Sequence, residues 1–213
     1  MAQRPKPEVR EAIVHAAALA FCEHGFEDAT LIDIVNRAGT SIGNLYKYYP
    51  NKNELFSAFL PPSFPKELTS RLSQQVRALH AETNAFELDH QHPYRQASER
   101  LLAFSIAHRE RVVFLLLRAK GSKYEPFAAD IVRRLVGLAV GYAKKAHPTL
   151  VFTPARRRAL VRIYRGFVLA LGAILVEERT EKACREAVAL LTRYHLSGLA
   201  ALFAHTASRS PSP

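Results

Sequence analysis

Thr30-Leu-Ile-Asp-Ile-Val-Asn-Arg-Ala-Gly-Thr-Ser-Ile-Gly-Asn-Leu-Tyr-Lys-Tyr-Tyr-Pro-Asn-Lys52 is the stretch whose reading decides the fold. Thr30 with Asp33 three residues on makes a capping-box-like helix start. Leu31, Ile34, Val35 and Ala38 then recur at helical spacing until Gly39 stops the pattern. Ser41 is a second good N-cap, and a short helix from Ile42 to about Tyr48 follows it. Pro50 and Asn51 break that helix, and Asn51 can cap another carrying Leu55, Phe56 and Phe59. Two short helices joined tightly at Gly39-Thr40 form a helix-turn-helix.

Such a pair needs a third helix to bury its apolar side. The chain supplies one ahead of it, from about Pro7 to His24, with Ile13, Ala17, Ala20 and Phe21 on one face and Gly25 as terminator. Beyond Phe59, Pro61, Pro62 and Pro65 interrupt the fourth helix, and a polar amphipathic stretch runs from Lys66 to about Glu87. Asp89-His90-Gln91-His92-Pro93 reads as a loop. Helical patterns follow over about 94–108, 110–120, 125–146, 154–178 and 181–206, before a Ser/Pro-rich tail from Ser208. No segment alternates at period two and none repeats. The expected fold is all-α: a helix-turn-helix domain over residues 1–55, then a larger helical bundle over 56–213.

Composition narrows the function classes. An apolar fraction of 48% over 213 residues excludes wholesale disorder. Cys22 and Cys184, far apart, give neither a disulfide framework nor a zinc pair, which fits a reducing cytosol. The N-terminus, Met1–Arg10, has no apolar signal region, and the longest apolar run, Phe167–Val176, spans ten residues. A soluble cytoplasmic protein with no membrane partner is expected. The net charge of +11 favours polyanion partners, yet residues 1–55 hold six basic side chains against seven acidic ones. The basic surplus therefore lies in the bundle, away from the helix-turn-helix.

The second helix of the pair has the surface that entering a groove requires. Ser41, Ile42, Gly43 and Asn44 are slim at its N-terminal end, while Tyr46, Lys47, Tyr48, Tyr49 and Lys52 bring phenols and ammonium groups to the other. Thr30, Ile34, Ala38-Gly39, Ser41, Gly43, Leu45-Tyr46, Tyr49 and Asn51-Lys52 together resemble the DNA-binding domain of TetR/AcrR-type transcriptional regulators. The resemblance covers roughly the first 60 residues with specific motifs and the rest as a matching helix plan. Val35 stands where a small Ala is usual, Tyr49 where Phe is commoner, and Pro50 tightens the turn; none of these removes a DNA contact.

The resemblance implies a homodimeric repressor gripping operator DNA, with a ligand cavity in the C-terminal bundle. Position by position, it puts Ile42, Gly43 and Asn44 on base-reading sites. It puts Tyr46, Lys47, Tyr48 and Lys52 at phosphates or the groove edge, and Thr30, Thr40 and Ser41 where amides and hydroxyls meet phosphates. Plainer readings stand beside these. Tyr49 reads as core, and Tyr46 as core or surface alike. Thr30 and Ser41 also serve as N-caps, and a cap facing a phosphate does both. Gly43 costs a helix about 1 kcal/mol against Ala, and close approach to a base edge is the reason to keep it. Asn44 could cap the Ser41 turn or read adenine.

Weaker signals lie elsewhere. Arg158, Arg162 and Arg165 share a helical face that reads first as solvated surface, second as a site for an anion. Asp89, His90 and His92 have the residue types of a metal site but a poor spacing, so no metal or cofactor is expected. Phe104, His108, Phe127 and Tyr164 are candidates to line a cavity for a small-molecule effector. Wide apolar stripes over Tyr164–Val176 and Ala187–Phe203 point to a dimer joined through the last two helices, with Leu171, Gly172, Leu175, Leu199 and Leu202 as candidate contacts. A helical enzyme is the competing class. It lacks a phosphate loop, an H-E-x-x-H, a nucleophile elbow and a paired-carboxylate helix, so no enzyme is expected. A charge-only binder of RNA or membranes is the other alternative, and the low basicity of residues 1–55 speaks against it.

Overall fold

A computed structural model describes residues 6–79 and 91–204. The regular elements among them are helices: α1 (Pro7–Asp28), α2 (Leu31–Arg37), α3 (Ile42–Tyr48), α4 (Lys52–Phe59), α5 (Ser63–Leu79), α6 (Pro93–Ala107), α7 (Arg109–Val113), α8 (Phe127–Ala146), α9 (Pro154–Glu177) and α10 (Glu181–Ala204). A π-helical turn, Phe114–Arg118, continues α7. The fold is all-α, with the helix-turn-helix leading a larger helical region. The described residues cluster into two compact units. The first is the chain through Leu68 with His108–Phe127, and the second is Thr69–Ala107 with the chain from Ala128 onward.

The first unit is built on α1, which packs against α2, α4, α7 and the π-helical turn. Ile13, Ala17, Ala20 and Phe21 are fully buried, as the apolar spacing of that helix predicts. Gly25, with φ 81° and ψ −177°, breaks α1 where the terminator was expected. α4 stops at Phe59 ahead of Pro61 and Pro62, and α5 carries Pro65 in its first turn, where no intrahelical donor is required. The core is aromatic. Phe56 meets Phe21 edge-on at 5.2 Å, Phe26 at 4.8 Å and Phe114 at 5.1 Å, and Phe59 meets Phe114 at 5.8 Å.

That cluster explains why the compact unit does not end at residue 55. Phe21, Phe56 and Phe59 each meet Phe114, which lies at least 55 positions further along the chain. The segment expected as one helix over 110–120 is five α-helical residues and the π-helical turn, which sets Phe114 and Leu115, both fully buried, into this core. Cys22 is also taken up here: its Sγ donates to the Glu110 carbonyl at 2.9 Å, and burial pushes the thiol up to about 12. Neither Cys22 nor Cys184 forms a disulfide.

The second unit pairs α9 with α10 and ties α10 to α6 through Arg185, which bridges Glu99 and Glu181. Thr153 and Thr180 cap α9 and α10, accepting from the amides of Arg156 and Ala183. α9 buries Leu160, Tyr164, Val168, Gly172 and Leu175. The ten-residue apolar run is part of this 24-residue helix, which is long and apolar enough to cross a membrane by length and composition. Arg162 and Arg165 lie ahead of the run, within the same helix. Gly172, Leu175 and Leu199, expected between subunits, are buried within the chain, and Leu171 is half-buried. Leu202 is exposed, together with Ile163, Leu169, Val176, Leu190 and Tyr194.

His195 is held between α9 side chains, stacked on Phe167 at 4.1 Å and edge-on to Tyr164 at 4.7 Å. It is 8% exposed, its Nε2 has no hydrogen-bond partner, and burial lowers its pKa to about 4. Burial likewise pushes the Tyr164 phenol up. The folded imidazole therefore binds its proton more weakly than the unfolded one, whose pKa is 6.5. Stability is complete above pH 6.5 and falls as pH drops from 6.5 towards 4, by on the order of 3 kcal/mol. Urea melts of the wild type and of His195→Phe across this range check it: the variant should lose that slope, and equal slopes would refute the assignment to His195.

Candidate nucleic-acid interface

Three local caps in series shape the helix-turn-helix. Thr30 Oγ1 accepts from the Asp33 amide at 3.1 Å, Ser41 Oγ from Asn44 at 3.2 Å, and Asn51 Oδ1 from Glu54 at 2.9 Å. Gly39 turns the chain between α2 and α3 at φ 63°, the left-handed region that glycine enters without a Cβ penalty. The Thr40 amide closes the turn on the Val35 carbonyl at 3.0 Å. α3 is pinned from beneath by Leu45, fully buried, and by Tyr49 at its C-cap, 4% exposed. Val35 is buried at 5%, so the larger side chain is accommodated where Ala is usual.

What α3 turns outward is the slim end and the polar end together. Ser41, Ile42, Gly43, Tyr46 and Lys47 are exposed, Ile42 at 39% and Tyr46 at 50%. Thr30 is exposed beside its cap. Asn44 is half-buried, with its Nδ2 donating to Thr40 Oγ1 at 2.8 Å, so these two candidates are one hydrogen-bonded pair. Ile32 of α2 is 67% exposed, an apolar side chain on the unit's surface that the motif reading did not single out.

Two candidates are engaged inside the unit. Lys52 Nζ donates to the Glu27 carbonyl at 3.0 Å and lies 4.9 Å from the Phe26 ring centroid, and burial lowers its pKa. The Tyr48 hydroxyl accepts from the Lys6 amide at 2.8 Å and donates to the Lys6 carbonyl at 3.4 Å. Arg10 Nε donates to the Tyr49 hydroxyl at 3.3 Å. Lys6 and Arg10 thus stand at the C-terminal end of α3. Sequence reading missed them because no local pattern links positions about 40 residues apart. Arg37 is closed between Asp33, at 2.9 Å, and Glu23, at 2.7 Å, which in that order push its pKa up.

Residues 13–59 match the family described as bacterial regulatory proteins, tetR family. That match makes residues 13–59 a tetR-family domain. Over 133 residues the chain is 28% identical to the HTH-type transcriptional repressor BepR of Brucella suis biovar 1 (strain 1330), covering 60% of this chain and 57% of BepR. Over 72 residues it is 36% identical to the uncharacterized HTH-type transcriptional regulator YvdT of Bacillus subtilis (strain 168), covering 34% and 35% of the two chains. The chain thus spans about half of the first relative's length and a third of the second's. A TetR-like transcriptional regulator from Rhodococcus sp. RHA1 shares the fold, with a TM-score of 0.50 and 22% identity over 93% of this chain and 99% of that one.

The four cavity candidates do not gather in one unit. Phe104, under the Arg71 guanidinium at 4.4 Å, and Tyr164 belong to the second. His108, edge-on to Phe64 at 5.4 Å, and Phe127, at the start of α8, belong to the first. Of the metal-type residues in the loop before α6, Asp89 and His90 lie outside the described residues, and His92 Nδ1 accepts from the Tyr94 amide at 3.1 Å. Arg157, Arg158, Arg162 and Arg165 are exposed on α9.

Gly43 separates folding from reading. It is helical, and a Cβ added there meets nothing within 4 Å, so Gly43→Ala should stabilise the free protein by about 1 kcal/mol. If the backbone there approaches a base edge, the same methyl should weaken specific DNA binding while the melting temperature rises. Gains in both would place Gly43 away from the DNA.

Proposed function

We propose that this protein is a sequence-specific DNA-binding repressor of the TetR family, working as a cytoplasmic homodimer and released from its operator by a small-molecule effector. It is a binding protein and not an enzyme. The observation that carries the reading is α3 itself: a helix capped at Ser41, anchored by Leu45 and Tyr49, with Ile42, Gly43, Tyr46 and Lys47 turned outward. Residues 1–55 do the DNA reading, and residues 56–213 bind the effector and the second subunit. Ile42, Gly43 and Asn44 face base edges; Thr30, Thr40, Ser41, Tyr46 and Lys47 face phosphates and the groove edge. Tyr48 and Lys52 act at the same edge, with Lys52 keeping two donors beyond the one on Glu27.

The effector meets the second unit near Phe104 and Tyr164. It shifts the population towards a spacing of the two α3 helices that no longer matches half-sites about 34–36 Å apart. BepR, described as a repressor, supports the sign of regulation. The test is a gel shift on DNA flanking the protein's own gene against a scrambled duplex of equal length. Preference for the native duplex is expected, and equal binding to both would favour a charge-only binder.

A further inference from the structure

Residues 1–55 carry fewer basic than acidic side chains, yet a DNA-binding unit must neutralise phosphates. The described part of α1–α4, with the Lys6 cap, holds five basic residues: Lys6, Arg10, Arg37, Lys47 and Lys52. Arg37 is spent on Asp33 and Glu23. Lys52 is turned onto the Glu27 carbonyl and the Phe26 ring. Among the described residues of these helices, Lys6, Arg10 and Lys47 are left exposed with no carboxylate partner.

Two of those three are held against the recognition helix from outside the motif. Tyr48 clasps the Lys6 backbone through both its amide and its carbonyl, and Tyr49 takes the Arg10 Nε. The Arg10 amide bonds to the Lys6 carbonyl at 3.2 Å, so the two residues sit one turn apart at the start of α1. A cation fixed at the end of a helix that enters the major groove lies against the backbone flanking that groove.

We infer that Lys6 and Arg10 form a second phosphate grip, and that Tyr48 is the positioning residue that sets Lys6 at the end of α3. The inference rests on the DNA-binding reading above. It changes the role of the Tyr48 hydroxyl, which holds the protein's own backbone and leaves the phosphate to Lys6. Lys6 and Arg10 also lie outside the residues 13–59 that match the family.

The experiment is a salt titration of the full chain on a 30-base-pair duplex of random sequence, followed by fluorescence anisotropy. Random DNA suffices because phosphate contacts are blind to sequence. Lys6→Ala and Arg10→Ala should each lower the slope of log K against log salt by roughly 0.9 for every DNA-binding unit engaged, and Lys6→Arg should retain it. Tyr48→Phe should lower the slope as Lys6→Ala does, and the double variant should lose no more than either single one. A neutral hydroxyl bonded directly to a phosphate would behave otherwise: Tyr48→Phe would weaken binding at unchanged slope and add to Lys6→Ala.

Unchanged slopes for Lys6→Ala and Arg10→Ala, with wild-type binding intact, would overturn the grip alone. Additivity of Tyr48→Phe with Lys6→Ala would overturn the positioning role. Absence of any wild-type binding at low salt would overturn the DNA-binding reading, and the grip with it.

Discussion

Phe56→Ala is expected to unfold the helix-turn-helix along with the segment that closes it, at a cost of about 3–5 kcal/mol. Phe56 is 2% exposed and meets Phe21, Phe26, Phe59, Phe114 and Tyr124, so truncation opens a cavity bounded by five other rings. Edge-to-face pairs add to the area term, which puts this site towards the upper end of that range. A marginally stable domain has only about 5–15 kcal/mol to lose, so a large fraction of the unit's stability hangs on this one ring. Thermal and urea melts followed by circular dichroism measure it. A loss below about 1 kcal/mol would mean that the cluster is far looser than its distances say. The same reasoning covers Phe114. A fragment ending at residue 55 lacks it, along with Phe56 and Phe59, and is expected not to fold, whereas the full chain does.

Leu190→Asp with Tyr194→Asp is expected to turn the proposed homodimer into a monomer. Leu190 is 61% and Tyr194 80% exposed on α10, one turn apart, and Leu169 and Val176 are each 50% exposed on the neighbouring α9. A single chain leaves this apolar stripe in water, and a two-fold partner would cover it with the same stripe of its own. Each substitution then enters the interface twice, and burying an unpaired carboxylate costs several kcal/mol. The dimer Kd should rise at least about 1000-fold, equivalent to about 4 kcal/mol. Sedimentation equilibrium at micromolar concentration decides it. A wild type that sediments as a monomer, or a double variant that still dimerises, would move the interface elsewhere. Leu175 and Leu199 are poor sites for this test, because both are buried within the chain and their loss would destabilise it.

Local rules carried much of this molecule. The caps at Thr30, Ser41 and Asn51 act across three residues, so each is legible wherever Thr, Ser or Asn precedes a helical pattern. The Gly39 turn, the burial of Ile34, Leu45 and Tyr49, and the outward face of α3 follow from one helical period read over a short window. The all-α class was legible for the same reason, and the family of the N-terminal domain through the resemblance of the motif residues between Thr30 and Lys52.

Tertiary structure decided whatever depends on which distant group a side chain meets. Lys52 reads as an ammonium open to solvent on every side until the Glu27 carbonyl, 25 residues away, accepts from one of its donors. Tyr48 reads as a groove-edge phenol until Lys6, 42 residues away, closes on it. The chain segment that completes the first core, His108–Phe127, lies far from the motif it stabilises, and a π-helical turn that no periodicity announces brings its Phe114 into register. Along α9 and α10, the apolar period marks two wide stripes but cannot divide them between the chain's own core and a partner, since both demand the same side chains. Only packing separates Leu175 and Leu199, buried within the subunit, from Leu190 and Tyr194, left on its surface.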